Sequence, residues 1–171
     1  MKITRVWSMP NKWTFEIPAI RELITRYMGD SKPWADPFAG MYSPAHIRND
    51  INPTRNAEYN LDALEFMQTL EDNSCVGVLF DPPFSFHQLS TTYRDTVTLK
   101  DPTSRTYRSE MKKEIGRVLK ADGIAISFGW NTNGVNSGIQ QYELLEVLIV
   151  PHGSSRNDTL VTVQQKVQEI L

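Results

Sequence analysis

The chain has 171 residues, of which 40% are hydrophobic and 22% charged, and its formal net charge is -2 at pH 7. We expect one domain over residues 1–171, because this length suits a single hydrophobic core and is short for two. No apolar run is long enough to cross a bilayer, and none follows the N-terminus as in a secretory signal, so a cytoplasmic protein without a membrane partner is predicted.

The first predicted helix begins at Pro18, a residue that suits the first helical turn, and ends at Gly29. Its apolar positions recur at helical spacing and are Ile20, Leu23, Ile24 and Tyr27. Two short strands are predicted next, over Trp34 to Asp36 and around Ile47 to Asn49.

The middle of the chain repeats the alternation of helix and strand. A second helix is predicted from near Asp62, whose carboxylate can cap it; its apolar residues are Leu64, Phe66, Met67 and Leu70. The apolar run Val76 to Phe80 is typical of a central parallel strand that is covered on both faces. A third helix is predicted to end at Ala121-Asp122-Gly123, before a strand over Ile124 to Trp130; it is marked by Met111, Ile115, Val118 and Leu119.

The chain closes with two predicted strands, Tyr142 to Val150 and Asp158 to Lys166, joined by a turn-rich segment. Strands that alternate with helices imply a parallel sheet, and the closing hairpin implies an antiparallel edge. We therefore predict a doubly wound, mostly parallel α/β sheet with an antiparallel C-terminal hairpin. Such sheets bind ligands beyond the carboxyl ends of their strands, where Asp36, Asp50 and Asp81 are expected to line one crevice.

The four residues Asp81-Pro82-Pro83-Phe84 follow the predicted central strand. A carboxylate there can bind sugar hydroxyls, act as a base or cap the next helix. The prolines remove two backbone donors and stiffen the chain, which leaves the carbonyl of Pro82 as an acceptor beside Asp81. Two adjacent acceptors suit an amino group such as that of a nucleobase, on which Phe84 could stack. The structural alternative is a strand that ends in a stiff proline turn.

Other reactive side chains give no sign of metal or redox chemistry. Cys75 lies among apolar residues, as a buried thiol does. His46, His87 and His152 are far apart and have no neighbour at metal-ligand spacing, so no metal is predicted.

Positive charge is concentrated between Arg94 and Lys120, where there are eight basic residues and four acidic ones. The excess indicates either a basic surface for nucleic acid or an ordinary solvated helix face, since Glu110 and Glu114 have helix-surface spacing. The segment from Ser85 to Arg108 is a long connection with aromatic and basic residues, and such loops are functional lids or disordered. We expect a substrate loop.

The string Asp81 to Phe84 resembles motif IV of the amino methyltransferases, which methylate the 6-amino group of adenine or the 4-amino group of cytosine in DNA. Its aspartate and the order of the other motifs resemble the adenine-specific enzymes. The ending HGSSRNDTLV is similar to the final hairpin of small phage and archaeal members. The resemblance implies a class I, Rossmann-like methyltransferase fold, S-adenosylmethionine as cofactor, DNA as partner, and the host cytoplasm if the protein is phage-encoded.

The resemblance also implies site residues. Asp81, Pro82, Pro83 and Phe84 would form the catalytic motif. Motifs X, I, II and III would contact the cofactor through Phe15, Ile17 and Pro18, then Asp36, Pro37, Phe38, Ala39 and Gly40, then Asp50 and Ile51, and last Asp62 and Ala63. Contacts with DNA are expected from Phe84, Gln88, Tyr93, Arg94, Arg105 and Arg108.

The chain departs from the family pattern in motif I, where Met41 follows Gly40 in place of the sequence Gly-x-Gly. Only a short stretch separates Asp36 from Asp50. We expect no separate target-recognition domain after the last motif. Readout of a DNA sequence would therefore come from short loops, a homo-oligomer or a partner protein. Two alternatives stay open: methylation of an RNA base, and a degenerate protein that binds S-adenosylmethionine or DNA without catalysis.

Overall fold

The computed structural model describes residues 1–83, 101–136, 138, 140–153 and 157–167. The strands in this part of the chain are β1 (Lys2–Arg5), β2 (Trp34–Asp36), β3 (Ile47–Arg48), β4 (Cys75–Phe80), β5 (Leu119–Gly129), β6 (Tyr142–Val150) and β7 (Thr159–Lys166). The helices are α1 (Pro18–Met28), α2 (Ala63–Thr69) and α3 (Arg105–Val118), and a 3-10 turn covers Thr14–Glu16. No helix in the described ranges is long and apolar enough to span a membrane.

The strands form one sheet in the order β1-β6-β7-β5-β4-β2-β3. Strand β7 runs antiparallel to its neighbours β5 and β6, whereas the other paired strands are parallel. The predicted doubly wound, mostly parallel sheet with a C-terminal hairpin is therefore confirmed. The hairpin does not form the sheet edge, however, because β1 pairs with β6 on its outer side.

The helices cover both faces of the sheet. On one face, α1 packs its buried side chains Ile20, Leu23 and Ile24 into a core with Leu79 and Ile126 of the central strands. On the other face, α2 and α3 share a second core with β4 and β5, which includes Phe66, Met67, Val78, Met111, Ile115 and Ala125. Buried strands with covered faces read as continuous apolar runs, which is why β4 could be predicted.

Helix α1 begins and ends where the sequence indicates. Pro18 occupies its first turn, where a missing N–H removes no helical bond. Gly29 follows its end with φ of 46°, a conformation that favours glycine, and its N–H bonds the carbonyl of Thr25 at 3.0 Å.

Position 77 of β4 has no side chain, and this leaves room for a large ring on the neighbouring strand β2. A Cβ at Gly77 would lie 2.3 Å from the indole of Trp34, which is fully buried on the neighbouring strand. Glycine at this position therefore allows the large ring to fill the space between β2 and the α1 layer.

The boundary between α3 and β5 differs from the prediction. The helix ends at Val118, and Leu119 already belongs to the strand, opposite Cys75. The tripeptide Ala121-Asp122-Gly123 forms an irregularity inside β5, after which Ile124 pairs with Gly77. Sequence reasoning took this tripeptide for the end of the helix, since glycine commonly ends one. Trp130 lies beyond the strand and is half exposed.

Candidate functional site

The carboxyl ends of β2, β3 and β4 meet at one edge of the sheet because these strands are parallel neighbours. Asp36 is the last residue of β2, Asp50 follows β3, and Asp81 follows β4 directly. Asp50 and Asp81 line the same cleft. Asp36 is completely buried beneath it, so the expectation that all three line one crevice is wrong for this residue.

The Asp36 carboxylate is turned into its own loop. It accepts a hydrogen bond from the N–H of Phe38 at 2.9 Å and one from the hydroxyl of Ser43 at 2.6 Å. Burial raises the pKa of Asp36 to about 7, the two hydrogen bonds oppose this shift, and the charges of Asp81 and Asp50 add to it. The geometry makes Asp36 a support of the loop, and its predicted contact with a cofactor stays a prediction.

Asp50 organises two backbone segments at the strand ends. Its carboxylate accepts hydrogen bonds from the N–H groups of Gly40 and Asn52, both at 2.9 Å. Gly40 has φ of 58°, and a Cβ there would come within 3.3 Å of the Trp13 ring. The glycine therefore lets the loop after β2 pass close to an aromatic side chain.

Asn49, which sequence reasoning missed, fastens this loop to the segment before α2. Its side-chain amide donates to the carbonyls of Pro37 at 3.1 Å and Leu61 at 3.0 Å, and its side-chain oxygen accepts from the N–H of Leu61 at 2.9 Å. The N–H of Ala39 bonds the Asn49 carbonyl at 2.9 Å. A buried amide with these partners satisfied makes the strand-end region rigid. The sequence signal that could have identified Asn49 was its position next to Asp50, a predicted site residue.

The Asp81-Pro82-Pro83 turn follows β4 directly, where the carboxyl ends of the parallel strands meet. Burial raises the pKa of Asp81 to about 6, and a hydrogen bond from the Thr14 side chain opposes the shift. The carbonyl of Pro83 accepts a hydrogen bond from the guanidinium of Arg108 at 3.1 Å. Among the described residues, none donates a hydrogen bond to the carbonyl of Pro82. Phe84 lies outside the described residues.

The motif X residues divide between core and cleft. Phe15 is buried, packs its ring edge-on against Phe128 at 5.5 Å, and also lines the cleft. Ile17 is buried, while Pro18 is exposed at the start of α1. The aromatic face that borders the cleft near Gly40 belongs to Trp13, two residues before Phe15, which the predicted site residues did not include.

Asp62 caps α2, as predicted. Its side chain accepts hydrogen bonds from the N–H groups of Leu64 and Glu65, and from the hydroxyl of Tyr107 at 3.0 Å. Burial, with the nearby charge of Asp62, raises the pKa of Tyr107. Neither Asp62 nor its neighbours in the prediction, Ile51 and Ala63, lines the cleft that holds Asp50. Their contact with a cofactor stays a prediction.

Two clefts flank the Asp81 turn. The first, called here the Trp13 cleft, has a volume of about 110 Å³ and is lined by Lys12, Trp13, Thr14, Phe15, Phe38, Ala39, Gly40, Tyr42, Asp50, Arg55, Asp81, Pro82 and Pro83. The second, called the α3 cleft, has a volume of about 560 Å³. Pro82 lines both clefts, so the turn forms the wall between them.

The α3 cleft is basic and rich in polar side chains. Arg105, Arg108 and Lys112 face it from one side of α3, since residues three and four apart lie on one helix face. Ser109, Ser127, Asn131, Asn133 and Asn136 also line it. Burial, with a contribution from Arg108, lowers the pKa of Lys112.

The structure describes two of the six residues expected to contact DNA, and their contact with DNA stays a prediction. Arg105 and Arg108 lie in the first turn of α3, so their predicted place in a long loop is wrong. The missed signal was Ser104, which caps the helix by accepting a bond from the N–H of Tyr107. Gln88, Tyr93 and Arg94 lie outside the described residues.

Histidines in the described ranges serve structural contacts. A ring nitrogen of His46 accepts from the N–H of Trp34 at 3.2 Å, and His152 contacts the Ser8 carbonyl and the Thr159 hydroxyl at 3.0 and 2.8 Å. Within the described part of the chain, no group of three His, Cys, Asp or Glu residues could hold a metal ion.

Neither a protein-family model nor a curated protein matches this chain. Solved structures share its fold. The protein yhhF from Escherichia coli, a candidate methyltransferase, is 13% identical with a TM-score of 0.56 over 95% of this chain and 92% of its own. A SAM-dependent methyltransferase from Methanosarcina mazei is 13% identical, with a TM-score of 0.58 over 86% of this chain and 98% of its own. TrmN from Thermus thermophilus is 13% identical, with a TM-score of 0.57 over 88% of this chain and 49% of its own. The chain therefore has the Rossmann-like fold that S-adenosylmethionine-dependent methyltransferases adopt.

Proposed function

We propose that this chain transfers a methyl group from S-adenosylmethionine to the 6-amino group of adenine in DNA. The observation that carries the proposal is the place of the Asp81-Pro82-Pro83 turn at the end of the central strand β4, with Pro82 in the wall between two clefts. A group held at this turn can face a methyl donor on one side and a nucleotide on the other. Ligands of open α/β sheets bind at this edge.

The Trp13 cleft fits the chemistry of S-adenosylmethionine. Asp50, at the end of β3, lines the cleft with 1% of its surface exposed. Each of its oxygens already accepts one backbone hydrogen bond, so its remaining lone pairs would bond the ribose hydroxyls, and Gly40 allows close approach of the backbone. Trp13 and Phe38 offer apolar surface for the rest of the nucleoside. The cleft is smaller than the roughly 300 to 1,000 Å³ that encloses ligands of this size, so the cofactor would lie along it with part of its surface in solvent.

The Asp81 turn would activate the target amine. When bound, S-adenosylmethionine supplies an electrophilic methyl group on a positively charged sulfur. The Asp81 carboxylate and the Pro82 carbonyl would accept hydrogen bonds from the two amine hydrogens, which directs the nitrogen lone pair toward the methyl carbon. Asp81 then stabilises the positive charge that develops on the nitrogen. With a pKa of about 6, it is charged at neutral pH and still basic enough to take the released proton.

The α3 cleft would hold the nucleotide. Its three cationic side chains suit the phosphates beside the target base, and its volume of about 560 Å³ admits a nucleotide. Arg108 links this side to the turn through the Pro83 carbonyl. An adenine in a duplex would have to be flipped out, at a cost of a few kcal/mol.

A radiolabelled methyl assay tests the proposal. The chain is incubated with S-adenosylmethionine and with duplex DNA, single-stranded DNA or RNA of one sequence, and with DNA that lacks adenine as the control. After digestion to nucleosides, the label is expected in N6-methyladenine from DNA alone. Label in RNA supports the RNA alternative, label in cytosine contradicts adenine as target, and cofactor binding without transfer supports the regulatory alternative.

A further inference from the structure

Arg55 borders the Trp13 cleft, where its side chain lies on the Trp13 ring. Its guanidinium carbon lies 4.9 Å from the centroid of the Trp13 ring. Its Nε is buried and has no hydrogen-bond partner among the described residues, and none of the ion pairs between described side chains includes Arg55. By contrast, Arg26, Arg48 and Arg117 each pair with a carboxylate. A buried guanidinium N–H without a partner is costly, so a ligand that supplies an acceptor is favoured here.

The backbone fixes Arg55 relative to Asp50. The N–H of Asn52 bonds the Asp50 carboxylate at 2.9 Å, and the N–H of Arg55 bonds the Asn52 carbonyl at 3.0 Å. The Asn52 side chain accepts from the N–H and hydroxyl of Thr54. These hydrogen bonds hold residues 50–55 in a turn that places Arg55 at the Trp13 cleft.

The ring beneath Arg55 is held in place as well. Trp13 meets the ring of Tyr42 edge-on, with centroids 5.8 Å apart, and packs beside Gly40. Lys12 places a second positive charge 5.0 Å from the Trp13 centroid. A guanidinium that lies on an aromatic ring keeps its N–H edge free for a planar acceptor.

We infer that Arg55 binds the α-carboxylate of S-adenosylmethionine. The inference rests on the proposed function. The cofactor carries one anionic group, this carboxylate, whereas its sulfonium and ammonium groups are positive and would be repelled by a guanidinium. An arginine and a carboxylate match in planar geometry and form paired charge-assisted hydrogen bonds. Arg55 thus selects for the amino-acid end of the cofactor.

Calorimetry with two ligands tests this assignment. S-adenosylmethionine and its decarboxylated form, which lacks only the carboxylate, are titrated into the wild-type protein and into Arg55→Gln, Arg55→Lys and the control Arg5→Gln. Arg5 is exposed on β1 and lies outside the Trp13 cleft. Arg55→Gln is expected to bind S-adenosylmethionine about 10- to 100-fold more weakly, the loss typical of a charge-assisted bond. Arg55→Lys should recover part of this loss, and Arg5→Gln should show none.

The decarboxylated ligand separates a carboxylate contact from a general disturbance of the cleft. The wild-type protein should bind the decarboxylated ligand more weakly than S-adenosylmethionine. Arg55→Gln should change the affinity for the decarboxylated ligand by less than about twofold. Equal losses for both ligands, or no loss for S-adenosylmethionine, would overturn the assignment to the carboxylate and leave the proposed function intact. A wild-type protein that binds neither ligand would overturn the proposed function and this inference together.

Discussion

Asp36 and Asp81 both end a parallel strand, and burial raises the pKa of each, yet they serve different ends. Both oxygens of Asp36 are occupied by donors from its own loop. Asp81 reaches a cleft, and the Thr14 side chain is the donor that lowers its pKa. A carboxylate can steer an amine only if it has lone pairs to offer at an accessible surface. At the level of single residues, Asp81 meets this condition and Asp36 does not.

Replacing Asp81 tests the chemistry directly. Asp81→Ala is expected to lower the methylation rate at least about a hundredfold, because a preorganised charge opposite the developing positive nitrogen is lost. Asp81→Asn keeps the shape without the charge and should lose a similar factor. Cofactor affinity measured by calorimetry should change far less in both variants. Because burial disfavours the charged form, Asp81→Asn should also unfold no more easily than wild type above pH 7. Wild-type methylation by a folded variant would refute the mechanism.

Asp50 is expected to hold the cofactor. Asp50→Ala should weaken S-adenosylmethionine binding by roughly 1.5 to 3 kcal/mol, if a charge-assisted bond to the ribose hydroxyls is lost. The same change frees the N–H groups of Gly40 and Asn52, so thermal unfolding must accompany the titration. An unchanged affinity in a folded Asp50→Ala protein would remove this residue from the site.

At the level of elements, α3 connects the basic cleft to the catalytic turn. The charge excess of its sequence was visible, but which cations share a face depended on where the helix begins. Ser104 sets that start, and Arg105, Arg108 and Lys112 then fall on the cleft side. The sequence therefore predicted the charge and missed its arrangement, because one unrecognised cap changes the helix boundary.

Substitutions on α3 separate phosphate binding from support of the turn. Arg105→Ala should reduce the salt dependence of DNA affinity by about 0.9 in the logarithmic slope, as expected for one lost phosphate contact. Arg108→Ala should do the same and also slow methylation, since it loses the bond to the Pro83 carbonyl. Lys113→Ala is the control, because Lys113 is exposed on the same helix and does not line the cleft. If the salt dependence of DNA affinity in Arg105→Ala and Arg108→Ala equals that of the Lys113→Ala control, these arginines are ordinary surface residues without a phosphate contact.

At the level of the whole molecule, the sequence predicted the layers better than the long-range pairings. Apolar runs and capping residues are local, and they were enough for β2, β4, α1 and the closing hairpin. The place of β1 depends on pairing with β6, in which Lys2 lies opposite Glu146. Four residues carry too little pattern to reveal such a partner. The meeting of Arg55 with Trp13 likewise depends on tertiary structure, since these residues are far apart in sequence.

A buried carboxylate joins three of these elements and gives the fold a predictable acid limit. Glu146 of β6 accepts two hydrogen bonds from Arg26 of α1, at 2.8 and 3.1 Å, and one from the hydroxyl of Tyr27 at 2.9 Å. Lys2 of β1 lies 3.5 Å away. The hydrogen bond from Arg26 is the main cause that lowers the pKa of Glu146 to about 2, with Tyr27 and the charges of Arg26 and Lys2 adding to it and burial opposing it.

The stability that this cluster contributes should disappear in acid. A folded pKa below the ordinary 4.5 means that the contribution is complete above about pH 4.5 and is lost as pH falls toward 2. The shift corresponds to at most roughly 3 kcal/mol. Urea unfolding from pH 7 to pH 2.5 should therefore show a steeper acid loss in wild type than in Glu146→Gln. Glu58→Gln is the control and should change the slope little, because Glu58 pairs with Arg48 while its side chain is 45% exposed. The raised pKa values of Asp36 and Asp81 affect stability at higher pH. Each carboxyl stabilises the folded protein most when it is protonated, and this contribution is lost as pH rises from about 4 toward 6 for Asp81 and toward 7 for Asp36. Identical acid slopes for wild type and Glu146→Gln would show that Glu146 does not set the acid limit of this fold.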